Sequence, residues 1–167
     1  MNVDLILETL NRHQVAYLLI GGMNFLLRHA PILTYDVDVW IEDTPENRRR
    51  CEQALGELQA EWGASDDDWG PVADKPAGWL GSQPLFCLTS PHGPIDVFRS
   101  VKGLGPWAAS RAKARTSETG RGVAFVGLSD ADMLKSQMAL PEAERNQDRI
   151  RALKKALTQA EDGPEEP

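Results

Sequence analysis

Two aspartates, Asp36 and Asp38, stand two residues apart in the stretch Thr34-Tyr-Asp-Val-Asp-Val-Trp-Ile-Glu42. The stretch alternates strictly, as a strand does: Tyr35, Val37, Val39 and Ile41 share one face, and Asp36, Asp38, Trp40 and Glu42 share the other. Both carboxylates therefore leave the same side, with Cα atoms about 6.5–7 Å apart. A third carboxylate, Asp96, sits in Pro94-Ile-Asp-Val-Phe98, where Ile95 and Val97 face the opposite way. If the two strands are neighbours, the three carboxylates converge and repel one another unless protons or cations neutralise them. Hard cations such as Mg²⁺ suit such a set, because they take oxygen ligands and leave positions open for water and substrate phosphates. Asp36, Asp38 and Asp96 are accordingly the candidate metal ligands and catalytic residues. An Asp-x-Asp on a half-exposed strand is by itself more often a solvated sheet face.

What shifts that balance is Gly21-Gly22, directly after the apolar run Val15-Ala-Tyr-Leu-Leu-Ile20 and ahead of a short helical stretch from Met23 to His29. Exposed backbone N–H groups at such a junction can meet phosphate, and glycine lets the ligand come close. The junction is not a Walker loop, since no Gly-Lys-Ser/Thr follows, and it lacks the three-glycine dinucleotide fingerprint. Other candidates weigh less. Trp40 shares the carboxylate face but an aromatic on a sheet is more often packing. Asp66-Asp67-Asp68 reads as a solvated turn, His92 as part of a Pro-Gly turn, and Arg48-Arg49-Arg50 as a solvated helix face.

The elements that must position these residues follow from periodicity. Val3, Ile6, Leu7 and Leu10 mark an amphipathic opening helix over 3–12. Thr44-Pro45 supplies an N-cap and an N1 proline for a helix over 45–62, with Cys51, Leu55, Leu58 and Trp62 as its stripe. Residues 63–84 show no periodicity and read as a long loop, functional or mobile. Leu85–Thr89 and Ile95–Phe98 form a hairpin around Ser-Pro-His-Gly-Pro. A basic helix over 107–115, a strand over 123–126 and a helix over 131–140 opened by the Ser129-x-x-Asp132 capping box come next. A last helix opens at Pro141, with Ile150, Leu153 and Leu157 buried. The expected class is α/β (α+β), a mixed β-sheet flanked by helices with C-terminal helices. The division is a core over 1–127, a helical extension over 128–160 and a disordered tail over 161–167.

The 167 residues suffice for a single core without staples, and the formal net charge is −7. Residues 1–98 hold 6 basic and 15 acidic side chains, whereas residues 99–121 hold six basic ones against Glu118 alone. Overall acidity argues against indiscriminate nucleic-acid binding, although the basic segment leaves room for a local phosphate or RNA contact. Cys51 and Cys87 have no metal-type spacing and read as reduced core thiols, and the three histidines form no zinc pair. No signal peptide or membrane span is expected, which points to a cytoplasmic chain with no membrane partner.

Leu18-Leu-Ile-Gly-Gly22, Thr34-Tyr-Asp-Val-Asp-Val39 and Pro94-Ile-Asp-Val-Phe98, in that order, resemble the DNA polymerase β-type nucleotidyltransferase superfamily. The small stand-alone members are the most similar: AbiEii-type toxin–antitoxin enzymes and the aminoglycoside and lincosamide nucleotidyltransferases. Leu128-Ser-Asp-Ala-Asp-Met-Leu-Lys135, followed by Arg145 and Asp148, resembles the AbiEii-type pattern of a lysine-bearing helix before a later Asp-containing one. Ile32 stands where many relatives carry arginine, with Arg28 as a candidate substitute. The resemblance implies a nucleotidyltransferase fold and a Mg²⁺-dependent enzyme that transfers NMP from an NTP to an acceptor, which is RNA, protein or a small molecule such as an antibiotic. Asp36, Asp38 and Asp96 would hold two Mg²⁺ ions, Gly21 and Gly22 would support the nucleotide's phosphates, and Lys135 would reach the triphosphate. The alternatives are a catalytically silent module, such as a toxin–antitoxin component with a cognate partner, and a Mg²⁺-dependent nuclease using the same carboxylates.

Overall fold

The computed structural model describes residues 1–29 and 31–163. Helix α1 (Val3–Arg12) starts on Asn2, whose side-chain oxygen accepts from Leu5 N, and buries Ile6, Leu7 and Leu10. The apolar run gives β1 (Tyr17–Ile20), buried throughout, which passes without a loop into α2 (Gly21–Arg28). The two glycines are thus the first residues of the helix rather than a spacer before it. Strand β2 (Val37–Ile41) is shorter than the alternating pattern, and Asp36 immediately precedes it.

Helix α3 (Pro45–Glu57) begins as expected at Thr44, whose hydroxyl accepts from Asn47 N. It ends five residues before Trp62: Leu58 closes it, and Gln59 turns the chain at φ 57°. Trp62 therefore belongs to β3 (Glu61–Trp62), paired with β4 (Gly70–Pro71), and not to the helical stripe. The segment expected as a long loop is a compact cap of short helical turns in which Val72, Trp79 and Leu80 are buried. Trp62 and Trp79 stack with ring centroids 5.6 Å apart, and both meet Phe86 edge-on. Aromatic packing, which has no sequence period, orders this stretch.

Strands β5 (Leu85–Leu88) and β6 (Ile95–Phe98) form the expected hairpin. Helix α4 (Trp107–Lys113) stops early, and Arg115–Glu118 is a strand, β7, antiparallel to β8 (Ala124–Gly127). Its exposed polar residues hid it, as an edge strand's do. Helix α5 (Asp130–Met138) is capped by Ser129 accepting from Asp132 N. Helix α6 (Gln147–Glu161) starts at the Asn146 cap rather than at Pro141, and of its expected stripe Ile150 and Leu153 are buried while Leu157 is only partly so. Residues 164–167 of the expected disordered tail lie outside the described residues, and Glu161 is the last residue of α6.

The six-stranded sheet has the order β5-β6-β2-β1-β8-β7, with β2–β6 and β1–β8 parallel and the other pairs antiparallel. It is a mixed sheet flanked by helices, as the α/β expectation required. One face carries Leu19, Val37, Val39, Ile41, Ile95 and Val97 into a core with α1 and α3. The other carries Leu18, Ile20 and Trp40 into a smaller core with Phe25, Leu128, Met133 and Leu153. Trp40 is 1% exposed, so it packs and does not stack on a ligand. No helix among the described residues is long and apolar enough to cross a membrane.

Buried Asn47 ties α3 to the sheet: its Nδ2 donates to Ala16 O (2.9 Å) and Glu42 O (2.8 Å), and its Oδ1 accepts from Ala16 N (2.7 Å). Truncation would strand the part-buried Ala16 amide and take one of two bonds from each of Ala16 O and Glu42 O, which keep those from Glu42 N and Thr44 N. Asn47→Ala is expected to cost about 2–4 kcal/mol, read as a lowered urea midpoint; an unchanged midpoint would show that water replaces the amide without penalty.

Candidate functional site

The parallel pairing of β2 with β6 sets Asp38 beside Asp96 in register, and the antiparallel pairing of β2 with β1 sets Asp38 beside Ile20, the residue before the glycines. Residues far apart in the sequence are brought together by strand order. Oxygen atoms of Asp36, Asp38 and Asp96 lie within 4.8 Å of one another, and all three residues are half-buried. Among the described residues this is the one group of three or more acidic, histidine or cysteine side chains that could hold an ion.

The cluster is electrostatically loaded. Burial, then the charges of Asp96 and Asp36, push Asp38 up to about 7, against a partial offset from Arg149. Asp96 is raised by burial and by Asp36. Asp38 Oδ1 is buried without a hydrogen-bond partner, a costly state for a carboxylate oxygen unless something cationic or a proton meets it. An all-oxygen donor set with one orphaned oxygen fits a hard divalent cation such as Mg²⁺.

Gly21 is fitted to this carboxylate. Its φ of +66° suits glycine, and a Cβ there would collide with Asp38 Oδ2. At Gly22 a Cβ would lie 2.8 Å from Thr34 Oγ1 and 3.1 Å from Arg149 Nη2. The first turn of α2 is therefore enclosed by Asp38, Thr34 and Arg149.

Arg149 escaped the sequence reading. It is partly buried on α6, its Nε has no partner, and its guanidinium carbon lies 5.9 Å from the centre of the Phe25 ring. Burial pulls its pKa below the ordinary arginine value, and Asp38 opposes that shift. The signal was available: Arg149 shares a helix face with Ala152 and the buried Leu153, so a cation sits on the apolar stripe. Lys135, by contrast, does not join the site. Met133, Ser136 and Gln137 line a small cavity with Gly21 and Arg149, and Lys135 projects from the opposite, exposed side of α5. Arg28 is already committed, donating to Leu128 O and pairing with Asp130 at 3.1 Å, so it does not replace the arginine that many relatives carry.

Both cysteines are free thiols. Cys51 is a core residue as expected, but Cys87 is exposed. It is the cross-strand neighbour of Asp96, and partial burial and that carboxylate raise its pKa.

The sequence matches no family model and no curated protein. Solved structures do match. The lincomycin-bound crystal structure of the lincosamide antibiotic adenylyltransferase LnuA superposes with a TM-score of 0.58 at 15% identity, over 89% of this chain and 92% of that one. ANT(2'')-Ia in complex with adenylyl-2''-tobramycin gives 0.54 at 15% identity, over 94% and 87%. The solution structure of the same antibiotic-resistance factor gives 0.55 at 15% identity, over 95% and 83%. The chain thus has the fold of these nucleotidyltransferases.

A raised Asp38 makes stability depend on pH. The folded chain, with Asp38 near 7, binds more protons than the unfolded chain, with an aspartate near its ordinary value of about 3.9, so stability falls as pH rises between those values. Asp96, shifted the same way, adds to the slope. Asp38→Asn is expected to flatten most of this decline and to melt several degrees above the parent at pH 8 without divalent cations. Parallel melting curves of the two proteins between pH 4 and 8 would refute the assignment.

Proposed function

We infer that this protein is an enzyme, a nucleotidyltransferase that moves the nucleoside monophosphate of an NTP onto a hydroxyl of a small-molecule acceptor and releases pyrophosphate. The observation that carries the reading is the meeting of Asp36, Asp38 and Asp96 beside the Gly21–Gly22 turn. The likeness to lincosamide and aminoglycoside adenylyltransferases supports a small molecule as acceptor over RNA or protein, and ATP among the donors. It lends nothing to a toxin–antitoxin role.

Asp36, Asp38 and Asp96 would hold Mg²⁺, two ions on the two-metal scheme. Bound there, the metal supplies activation of the attacking oxygen and charge neutralisation at the leaving oxygen. The chain's own groups do the remainder. The Gly21 and Gly22 amides at the N-terminus of α2 face the phosphates with the helix dipole behind them. Arg149, rather than Lys135, supplies the fixed positive charge next to them. Asp96 accepts the acceptor's hydroxyl proton as the new O–Pα bond forms. The bond from Pα to its bridging oxygen breaks, and the electron pair leaves with pyrophosphate.

With Mg²⁺ and α-labelled NTPs, the protein is expected to label a hydroxyl-bearing small molecule in a panel that includes lincosamides, aminoglycosides and total RNA. The double change Asp36→Asn with Asp38→Asn should reduce transfer at least about a hundredfold while leaving the circular-dichroism spectrum unchanged. Transfer that survives the double change would overturn the site.

A further inference from the structure

Arg145 is spent on the backbone. Its Nε donates to Leu140 O at 2.9 Å and its Nη2 to Met138 O at 3.0 Å, so the guanidinium closes the C-terminal end of α5, where a cation also meets the negative end of the helix dipole. The next residue, Asn146, donates its backbone N–H to the side-chain oxygen of Gln137 on α5 at 3.0 Å. Its own side-chain oxygen accepts from Arg149 N at 2.9 Å and caps α6. A run of hydrogen bonds therefore leads from the end of α5 to the first turn of α6. The connector itself, residues 139–146, has no buried side chain to anchor it.

The group at the end of this run, Arg149, is badly placed for stability. It stands in the first turn of α6, at the positive end of the helix dipole, where a cation is disfavoured. Its buried Nε has no hydrogen-bond partner, and the adjacent Asp148 pairs with Arg151 instead. The Phe25 ring, 5.9 Å from the guanidinium carbon, and the charge of Asp38 attract it without fixing its direction. Direction comes from the seating of α6. We propose that Gln137, Arg145 and Asn146 are positioning residues for the polyphosphate: they seat the first turn of α6 so that the Arg149 guanidinium stays against the Gly21–Gly22 turn. The assignment rests on the nucleotidyltransferase reading. Groups that bind a reacting ligand must be held within about 0.5 Å of their productive places, and a side chain without bonds of its own takes that precision from its backbone. Gln137 serves from close by, since it lines the small cavity that Gly21 and Arg149 share.

The test asks whether these residues act through Arg149. Affinity for Mg²⁺ tripolyphosphate is measured by calorimetry on the full chain, beside the melting temperature of each variant. Arg149→Gln is expected to weaken binding at least about tenfold, and Gln137→Met, Arg145→Met and Asn146→Ala at least about fivefold each. Asn146→Ser restores a capping oxygen and should stay within about twofold of the parent. Added to Arg149→Gln, the same three changes should cost less than about twofold more, since a residue that acts through another loses its effect when that other is gone. An effect that persists in full in the Arg149→Gln background would show direct contact or general loosening and overturn the positioning role. So would parent-like binding in folded Gln137→Met and Asn146→Ala, which leaves the enzyme reading in place. A parent protein that does not bind Mg²⁺ tripolyphosphate would overturn the enzyme reading, and this inference with it.

Discussion

Like-charge repulsion within one pleat of the sheet is the constraint to which the rest of this structure answers. Strand register leaves Asp38 no way to move apart from Asp96, because β2 and β6 are paired along their length with Val37 on Ile95 and Val39 on Val97. Those valines and isoleucines are buried on the other face, so a slip of one residue would turn the carboxylates into the core and the aliphatic side chains out. The hydrophobic core thus clamps three acids together. Burial first, and then the charges of Asp96 and Asp36, push the pKa of Asp38 up to about 7.

The two faces of the sheet divide the labour. The larger core with α1 and α3 supplies the clamp, and the smaller one positions the groups that surround the acids. Helix α2 contributes Met23 to the larger core and Phe25 to the smaller, and polar staples add to its hold. Asn24 Nδ2 donates to Leu128 O at 3.0 Å, and Arg28 and His29 both reach Asp130. Gly127 is needed beneath, since a Cβ there would strike Asn24 Oδ1. These contacts add to the burial of Met23 and Phe25 and fix the Gly21–Gly22 turn against Asp38.

The parts of this arrangement that were legible in the sequence were those with a period or a cap. Alternation around Asp36 and Asp38, the apolar run before Gly21, and the Thr44 and Ser129 caps each have a local physical cause, and each element formed. What was not legible depends on contacts across the chain. Trp62 looked like the next turn of α3 because its spacing from Leu58 is helical, yet Gln59 reverses the backbone and the indole stacks on Trp79. β7 reads as polar coil because an edge strand has no buried face to reveal it. Lys135 and Arg149 show the same limit at the site. Both are cations on helices after the core, and only the packing of α6 on α5 decides which one faces Gly21.

The distribution of charge argues against a polyanionic acceptor. The basic stretch from Arg99 to Arg121 leaves room in the sequence for a local phosphate or RNA contact, and the fold ties part of it into ion pairs. Arg99 binds Asp43 through two nitrogens at 2.9 and 3.0 Å, and Lys113 pairs at 2.8 Å with Asp132, which is buried. Charges neutralised in this way release few counterions to a nucleic acid and gain little affinity from one. On the Asp96 side the sheet offers Leu85 and the Cys87 thiol, both exposed. Neither side chain carries the positive charge that would attract a phosphate backbone.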